Sequence, residues 1–373
     1  MKKLKLAFLV LCWTVAVLFF SPPKLAYADD GLADIASADG SNVYMHFSTS
    51  SGFDTRIWTV PNRWGGAEYS WVGDFNNDQR TDIASASGGN IYMHLSSGDD
   101  FDNRIWTVPN RWGGAGYTWV GDFNNDGRTD IASANSSDIY MHFSRGNEFT
   151  NQTWTVPNRW GGAGYTWVGD FNNDGRTDIA SANGGDIYMH LSTGSDFANQ
   201  TWTVPNRWGG AGYTWVGDFN NDGRTDIASA NGGDIYMHLS TGSGFANQTW
   251  TVPNRWGGAG YTWVGDFNND GRTDIASANG SDIYMHLSTG SGFANQTWTV
   301  PNTWGGAGYT WVGDFNNDGR TDIASANSGD IYMHLSTGSD FANQTWTVPN
   351  TWGGAGYTWI GDFNDAGITI GNN

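Results

Sequence analysis

Beyond residue 28 the sequence contains neither cysteine nor lysine, and both absences restrict what the chain can be. The single cysteine is Cys12, and the four lysines lie at positions 2, 3, 5 and 24. No disulfide can therefore stabilise residues 29–373. With those four lysines subtracted from 18 basic residues, 14 remain against 37 acidic ones, which gives a net charge of −23. Such a surface repels phosphate groups, which argues against nucleic acid and anionic membranes as partners.

Long apolar runs are also absent, except for one at the N-terminus. Residues 6–20 are apolar, follow a basic start and precede the small-residue signature Ala26-Tyr27-Ala28. This pattern predicts a cleaved secretory signal peptide over residues 1–28 and a secreted domain over residues 29–373. A run of 15 residues is short for a bilayer span, which needs about 20 residues. No membrane insertion is therefore predicted.

The remaining sequence is an array of seven near-identical repeats. The Asp of each "GDF" triplet lies at position 74, 122, 170, 218, 266, 314 or 362, so the spacing between copies is constant. Each repeat holds four short segments of alternating polarity separated by turn residues, and no helical periodicity. Four strands in about 40 to 50 residues are typical of a propeller blade. The sequence therefore predicts an all-β fold, a seven-bladed β-propeller with four-stranded blades of about 48 residues, close to the period of known propeller blades.

The two ends of the array indicate how the ring closes. Residues 34–38, "DIASA", match residues 82–86, so the array begins at the second strand of a blade. Residues 357–365, "YTWIGDFND", supply the first strand of a blade without its second, third and fourth strands. We therefore expect the N- and C-terminal strands to share one blade, which leaves no open edge. The alternative, an open solenoid, would need polar capping repeats, and the sequence has none.

Each repeat contains an acidic turn, as in "DFNNDGRTD" at residues 122–130, with oxygen side chains at positions 1, 3, 5 and 9 and Gly at position 6. Calcium prefers six to eight oxygen ligands, and a Gly permits the sharp turn. The spacing resembles the calcium hairpin of FG-GAP and VCBS-like repeats in integrin-like propellers. The same residues equally permit a metal-free hairpin held by Asx-type bonds and Asp–Arg pairs. The candidate ligands are Asp74, Asn76, Asp78, Asp82, Asp122, Asn124, Asp126, Asp130, Asp170, Asn172, Asp174, Asp178, Asp218, Asn220, Asp222, Asp226, Asp266, Asn268, Asp270, Asp274, Asp314, Asn316, Asp318, Asp322, Asp362, Asn364, Asp30 and Asp34.

Two of these turns depart from the pattern. Gln79 replaces the glycine in the first turn, which predicts backbone strain. The last turn carries Ala366 and Ile370 at positions 5 and 9. Since Asp30 and Asp34 align with those two positions, we expect the two termini to complete this turn together.

A tryptophan stands in the glycine-rich connection between successive blades, as in "NRWGGAGY" at residues 158–165. An aromatic plane beside amides and carboxylates is suited to the apolar face and hydroxyl rim of a sugar, since such sites need only a few well-placed polar groups. The alternative is a tryptophan that covers the interface between blades. The predicted ligand-binding residues are Trp64, Trp112, Trp160, Trp208, Trp256, Trp304 and Trp352, with Tyr69, Tyr117, Tyr165, Tyr213, Tyr261, Tyr309 and Tyr357 as second choices.

The combined motif "WTVPNRWGGAGYTWVGDFNNDGRTDIAS" resembles the Photorhabdus lectin (PLL-like) family of seven-bladed propellers, and the resemblance covers essentially residues 29–373. It implies a secreted carbohydrate binder for fucose or O-methylated sugars, with sites between adjacent blades and cell-surface glycans as partners. Arg precedes the connection tryptophan in five repeats, whereas Thr303 and Thr351 replace it in the last two. Ligand preference is therefore expected to differ around the ring.

Two other functions are compatible with the repeats. One is an integrin-like, calcium-binding adhesion or structural propeller that binds no sugar. The other is an enzyme, which we do not predict because catalysis needs an asymmetric group of residues and all seven histidines recur identically in the repeats. The sequence leaves open whether rings associate into a homo-oligomer.

Overall fold

The computed structural model describes residues 31–364 except 50, 158, 302, 350 and 351. The predicted signal peptide and Asp30 lie outside the described residues. The described chain folds into 28 β-strands arranged as seven antiparallel four-stranded sheets. Helical structure among these residues is restricted to three-residue 3₁₀ turns, and no described helix could cross a membrane. The predicted seven-bladed β-propeller is confirmed.

Every blade contributes one short strand to the centre of the ring, and these first strands contact one another from blade to blade. They are β4 (Ser70–Gly73), β8 (Thr118–Gly121), β12 (Thr166–Gly169), β16 (Thr214–Gly217), β20 (Thr262–Gly265), β24 (Thr310–Gly313) and β28 (Thr358–Gly361). The second strands are β1 (Asp34–Asp39), β5 (Asp82–Ser87), β9 (Asp130–Asn135), β13 (Asp178–Asn183), β17 (Asp226–Asn231), β21 (Asp274–Asn279) and β25 (Asp322–Asn327).

The third and fourth strands extend each sheet outwards. The third are β2 (Asn42–Ser48), β6 (Asn90–Ser96), β10 (Asp138–Ser144), β14 (Asp186–Ser192), β18 (Asp234–Ser240), β22 (Asp282–Ser288) and β26 (Asp330–Ser336). The outermost are β3 (Phe53–Thr59), β7 (Phe101–Thr107), β11 (Phe149–Thr155), β15 (Phe197–Thr203), β19 (Phe245–Thr251), β23 (Phe293–Thr299) and β27 (Phe341–Thr347). The 3₁₀ turns, one before each first strand, are Ala67–Tyr69, Ala115–Tyr117, Ala163–Tyr165, Ala211–Tyr213, Ala259–Tyr261, Ala307–Tyr309 and Ala355–Tyr357.

We number the blades in ring order. Blade 1 contains β28, β1, β2 and β3, and blades 2 to 7 contain β4–β7, β8–β11, β12–β15, β16–β19, β20–β23 and β24–β27. Groove n is the space between blade n and the following blade, so groove 7 lies between blades 7 and 1. Each groove is bridged by the connection that runs from the outermost strand of one blade to the first strand of the next.

The alternation of side chains along a strand places the core between neighbouring sheets. In β14, Ile187, Met189 and Leu191 are buried, whereas Tyr188 on the opposite face stays partly exposed. One core cluster combines Trp119 and Met141 of blade 3 with Phe197 of blade 4. The blades are therefore held by apolar packing against their neighbours, and no blade has a core of its own.

Closure follows the predicted scheme. β28 pairs with β1 in antiparallel register, with Ile360 opposite Ile35. The backbone N–H of Phe363 donates to Asp34 Oδ2 at 3.1 Å, so the two termini do share one turn. Gln79 has a φ of 71°, in the left-handed region that glycine occupies in the other turns. The predicted strain is confirmed, and it costs about 1 kcal/mol or more.

Six of the seven junctions between blades share the same three hydrogen bonds. Between blades 2 and 3, Thr129 N–H donates to Asp74 O at 2.7 Å, and Ser144 Oγ donates to Phe75 O at 2.5 Å. Tyr69 Oη donates to the carbonyl oxygen of Gly113 at 3.1 Å. Between blades 1 and 2 the C-terminal segment supplies the same set through Asp362 O, Phe363 O and Tyr357 Oη. The junction formed by the C-terminal segment therefore matches the internal ones. Between blades 7 and 1 two of the three bonds are kept, and Ser48 Oγ donates instead to the carbonyl oxygen of Ala33 at 2.5 Å.

Candidate functional site

The connection tryptophans are wedged between adjacent blades. Trp160 stacks on Trp119 of its own blade, with ring centroids 5.8 Å apart and an angle of 25° between the planes. Its other side contacts the His190 ring of blade 4, with centroids 4.7 Å apart. The indole Nε1–H donates to the carbonyl oxygen of Ser136, in the β9–β10 hairpin, at 2.7 Å. Most of the indole surface is thus used in packing.

All seven connection tryptophans share this arrangement. Each is half-buried, and each donates its indole N–H to the carbonyl oxygen of the β-hairpin in its own blade. The pairs are Trp64 with Gly40, Trp112 with Gly88, Trp160 with Ser136, Trp208 with Gly184, Trp256 with Gly232, Trp304 with Gly280 and Trp352 with Ser328. The structure thus gives these residues an interface role, and their contact with a sugar stays a prediction.

The second-choice tyrosines also act at the interfaces. Tyr69, Tyr117, Tyr165, Tyr213, Tyr261, Tyr309 and Tyr357 are half-buried, and each hydroxyl donates to a glycine carbonyl oxygen of the following connection. The first of the two glycines after the tryptophan lies close to the next blade. A Cβ atom at Gly161 would collide with the carbonyl oxygen of Ala182 in that blade. This glycine therefore lets the connection lie directly against the neighbouring sheet.

An open cleft lies in groove 3, directly outside this wedge. It has a volume of about 90 Å³. The Arg159 guanidinium carbon lies 5.9 Å from the centroid of the Tyr188 ring, so a cation and an aromatic plane meet at the rim. Both Pro157 and Arg159 are exposed. The lining residues are Pro157, Arg159, Tyr188, His190, Asn199, Gln200 and Thr201.

His190 forms the floor of this cleft and is only 2 % exposed. Its Nδ1 lies 2.6 Å from Asn199 Oδ1, and the Asn199 amide nitrogen donates to Phe197 O at 3.2 Å. Because an amide oxygen can only accept, Nδ1 carries the proton. Burial lowers the pKa of His190 to about 4, so the ring is neutral at physiological pH. The histidine therefore contributes a neutral, rigid surface to the cleft.

The acidic turns lie at the opposite end of the blades and are held by their own hydrogen bonds. Asp122 Oδ1 accepts the N–H of Asp126 at 3.1 Å, and its Oδ2 accepts that of Gly127 at 2.8 Å. Asp126 pairs with Arg128, whose Nη2 lies 2.6 Å from Oδ2. Asp130 is fully buried and accepts the N–H groups of Phe123 and Ser144. These are the side-chain bonds and the Asp–Arg pair of an Asx-type hairpin.

This turn lies within the segments that match a known repeat family. The sequence pattern of the FG-GAP-like repeat matches residues 74–133, 122–181, 170–227, 218–277 and 266–325. Four of these five segments begin one repeat after the previous one, and together they span residues 74–325, more than half of the chain. The chain belongs to the FG-GAP-like repeat family.

Two solved structures are similar to this chain over most of its length. One is a lectin of Agrocybe aegerita that recognises non-reducing terminal N-acetylglucosamine, with a TM-score of 0.72, 18% identity, and coverage of 88% of this chain and 95% of that chain. Another is a protein of unknown function from Desulfotomaculum acetoxidans, with a TM-score of 0.50, 8% identity, and coverage of 88% and 98%. No curated protein sequence matches significantly. At these identities the likeness establishes the fold alone.

The acidic groups of each FG-GAP-like turn interact with one another. Within the described residues, no three His, Cys, Asp or Glu side chains are close enough together to hold a metal ion. A calcium ion at Asp126 would also have to displace Arg128. Burial nevertheless raises the pKa of Asp178 to about 8, and repulsion from Asp170 and Asp174 adds to this. A nearby cation would relieve that repulsion, so calcium binding stays a prediction.

Thermal unfolding tests this prediction. If FG-GAP-like turns bind calcium, 1 mM CaCl₂ is expected to raise Tm. Ligand at 100 to 1,000 times Kd stabilises the folded chain by about 3 to 4 kcal/mol per site. EDTA should reverse the increase. The Asp126→Asn variant should lose the part of the Tm increase that comes from its own turn. Asp102→Asn, on the exposed outer strand β7, should keep the whole increase. An unchanged Tm in CaCl₂ would contradict calcium binding.

Sequence reasoning missed the outer wall of the cleft. Tyr188, Asn199 and Thr201 were not predicted, although "DIYMHLS" alternates so that its Tyr and His face away from Ile and Met. In the β14–β15 ladder, Tyr188 stands opposite Thr201 and His190 opposite Asn199. The alternation of "DIYMHLS" is therefore the sequence signal for an exposed aromatic ring beside polar groups.

Proposed function

We propose that the chain is a secreted, multivalent carbohydrate-binding lectin with its sites in the grooves between adjacent blades. The observation that carries the proposal is the cleft in groove 3, where Arg159 and Pro157 of one connection face Tyr188, Asn199 and Thr201 of the next blade. Sugar sites combine an aromatic or apolar platform with a few fixed hydrogen-bonding groups. This cleft offers both, together with a neutral histidine floor.

The chemistry of the cleft favours a sugar with one apolar edge. Fucose carries a methyl group at C5, and O-methylated sugars carry one on oxygen, so either could place a methyl group against Pro157 and the Tyr188 ring. Arg159 supplies several donors in a fixed fork, and the Asn199 and Thr201 side chains are exposed beside it. A shallow cleft of about 90 Å³ would hold one edge of the ring and leave the rest in solvent.

Two further observations support the proposal. The repeated motif resembles the Photorhabdus lectin family, and the chain shares its fold with a lectin that recognises terminal N-acetylglucosamine. Secretion is proposed from residues 1–28, and binding without catalysis from the equivalence of the repeats. The seven histidines that could act as general bases are all buried, at 2 % exposure or less.

Removing the guanidinium groups from four grooves tests the site. The variant Arg111→Ala, Arg159→Ala, Arg207→Ala and Arg255→Ala is expected to weaken sugar binding at least tenfold, since a hydrogen bond from a charged group contributes about 1.5 to 3 kcal/mol. These arginines are exposed, so Tm should stay close to that of the parent protein. A glycan array followed by titration of a positive glycan measures the loss.

Arg145→Ala is the matched control. Arg145 bonds the Thr150 side chain at the opposite end of the blade from the connections, and it is exposed. The control should bind sugar like the parent protein. Full binding by the fourfold variant would show that sugar does not use these grooves. A parent protein that binds no glycan on the array would instead favour the protein-adhesion function.

A further inference from the structure

The seven grooves share the histidine floor and the tryptophan wedge but differ at three positions of the outer wall, with a fourth change in groove 7 alone. In groove 3 the three are Arg159 on the connection and Gln200 and Thr201 on the outermost strand β15. The fourth is Asn199, which Thr55 replaces opposite His46 in groove 7. Thr201 stands directly opposite Tyr188 in the ladder, so its side chain lies on the same face as the aromatic platform. A change at either Arg159 or Thr201 therefore alters the groups nearest to the platform.

Grooves 2 to 5 carry all three residues. The equivalents of Arg159, Gln200 and Thr201 are Arg111, Gln152 and Thr153 in groove 2, Arg207, Gln248 and Thr249 in groove 4, and Arg255, Gln296 and Thr297 in groove 5. The tyrosines opposite the threonines are Tyr140, Tyr236 and Tyr284. These four grooves therefore present the same chemistry.

Groove 6 lacks the guanidinium group. Thr303 replaces arginine on its connection and is half-buried, with its hydroxyl 3.4 Å from the carbonyl oxygen of Pro301. The rest of the wall is intact, since Thr345 still stands opposite Tyr332. Groove 6 is therefore one residue short of the full set.

Grooves 1 and 7 differ more strongly. Ile105 stands opposite Tyr92 in groove 1, and Ile57 stands opposite Tyr44 in groove 7. These two isoleucines are 48 % and 58 % exposed, so each replaces the threonine hydroxyl with an apolar group next to the platform. The preceding glutamine is also replaced, by Arg104 and Arg56.

Those arginines are already paired with carboxylates. Arg104 Nη2 lies 2.7 Å from Asp102 Oδ2, and Arg56 contacts both Asp54 and Asp99. In blade 3 the glutamine accepts the indole N–H of Trp154 at 3.0 Å, whereas Trp58 Nε1 is buried with no hydrogen-bond partner among the described residues. The substitution therefore changes the internal packing of blade 1 as well as its surface.

We infer that four of the seven grooves, grooves 2 to 5, form one class of equivalent sugar site, and that the arginine and the threonine opposite the tyrosine decide membership of this class. The inference rests on the proposed function. Groove 6 loses the charged donor, groove 1 loses the hydroxyl, and groove 7 loses both, since Thr351 replaces the arginine of its connection. Loss of a hydrogen bond from a charged donor weakens binding by about tenfold or more, and loss of a neutral hydrogen bond costs about 1 kcal/mol. Grooves 1, 6 and 7 therefore fill only at higher sugar concentrations than the other four.

Stoichiometry tests the inference. Native mass spectrometry of the purified secreted chain would count bound methyl α-L-fucoside and, separately, bound N-acetylglucosamine, with a non-binding protein as reference for nonspecific adducts. The expected count is four for the parent chain and three for Arg159→Ala. Thr303→Arg should raise it to five, because groove 6 then carries the full set. Arg145→Ala should stay at four.

The possible results separate the two proposals. Seven equally occupied grooves in the parent chain would overturn the inference and leave the lectin function standing. A count that stays at four in Thr303→Arg, with an unchanged Tm, would show that the arginine does not decide membership. A parent chain that binds neither sugar would contradict the lectin function for these ligands, and the inference would fall with it.

Discussion

Deleting residues 355–373 is expected to abolish cooperative folding of the whole ring. The deletion removes β28, which is the first strand of blade 1, together with the buried side chains of Trp359 and Phe363. Loss of a buried aromatic side chain costs about 3 to 5 kcal/mol, and each lost hydrogen bond about 1 kcal/mol. Since a typical domain is stable by only about 5 kcal/mol to about 15 kcal/mol, the summed loss approaches or exceeds the whole stability of the fold.

Calorimetry and size-exclusion chromatography would measure this effect. The truncated chain should show no cooperative transition and should elute as an expanded or aggregated species, because the edge of β1 becomes available for pairing. A circular permutant is the matched control. With residues 355–373 joined directly ahead of Asp29, blade 1 regains four consecutive strands, and a cooperative transition should return. A truncated chain that melts at the parent Tm would show that the ring does not depend on its closing strand.

A ring with several equivalent sugar sites is expected to bind a dense glycan surface about 10² to 10⁴ times more tightly than one site binds free sugar. Once one groove has bound, binding of the remaining grooves to the same surface is effectively intramolecular. Since the core clusters join neighbouring blades, the grooves are fixed relative to one another. Little ordering entropy is therefore lost when a second groove binds.

A variant with one intact groove isolates this effect. Arg111→Ala, Arg207→Ala and Arg255→Ala leave groove 3 unchanged. The variant should keep the affinity of a single site for free sugar in calorimetry. On glycan-coated sensor surfaces and in agglutination of glycan-coated beads, it should lose the advantage of the parent chain. Equal agglutination by parent and variant would contradict multivalent binding.

The fold could be predicted from the sequence because the same strand and turn signals recur in every repeat, and each signal lies within a short segment. The constant spacing of the "GDF" triplets determined the number of blades, and the turn residues separated the strands. The closing scheme followed from the matching of residues 34–38 with residues 82–86. Asp34 then bonds Phe363, as the alignment of the two ends had indicated. Each of these inferences needed only a comparison of one repeat with another.

The candidate site was harder to predict because it depends on two repeats at once. The glycine-rich loop around Trp160 suggested an exposed ring, but His190 of the next blade covers one face and Trp119 the other. Replacement of this tryptophan by alanine would remove interface packing, at a cost of about 3 to 5 kcal/mol. It is therefore a poor test of sugar binding. The cleft residues come from one connection and the following blade, and their proximity is visible only after assembly.

The similarity of the junctions also bears on how the gene can change. Because six of the seven junctions use the same three hydrogen bonds and the seventh keeps two of them, unequal recombination between repeats would delete or insert whole units that form the same kinds of contact. The first and last units would still meet in a shared blade. Only the angle between neighbours would have to adjust to a different circumference. The number of repeats is thus the property of this fold that the contacts at the junctions constrain least.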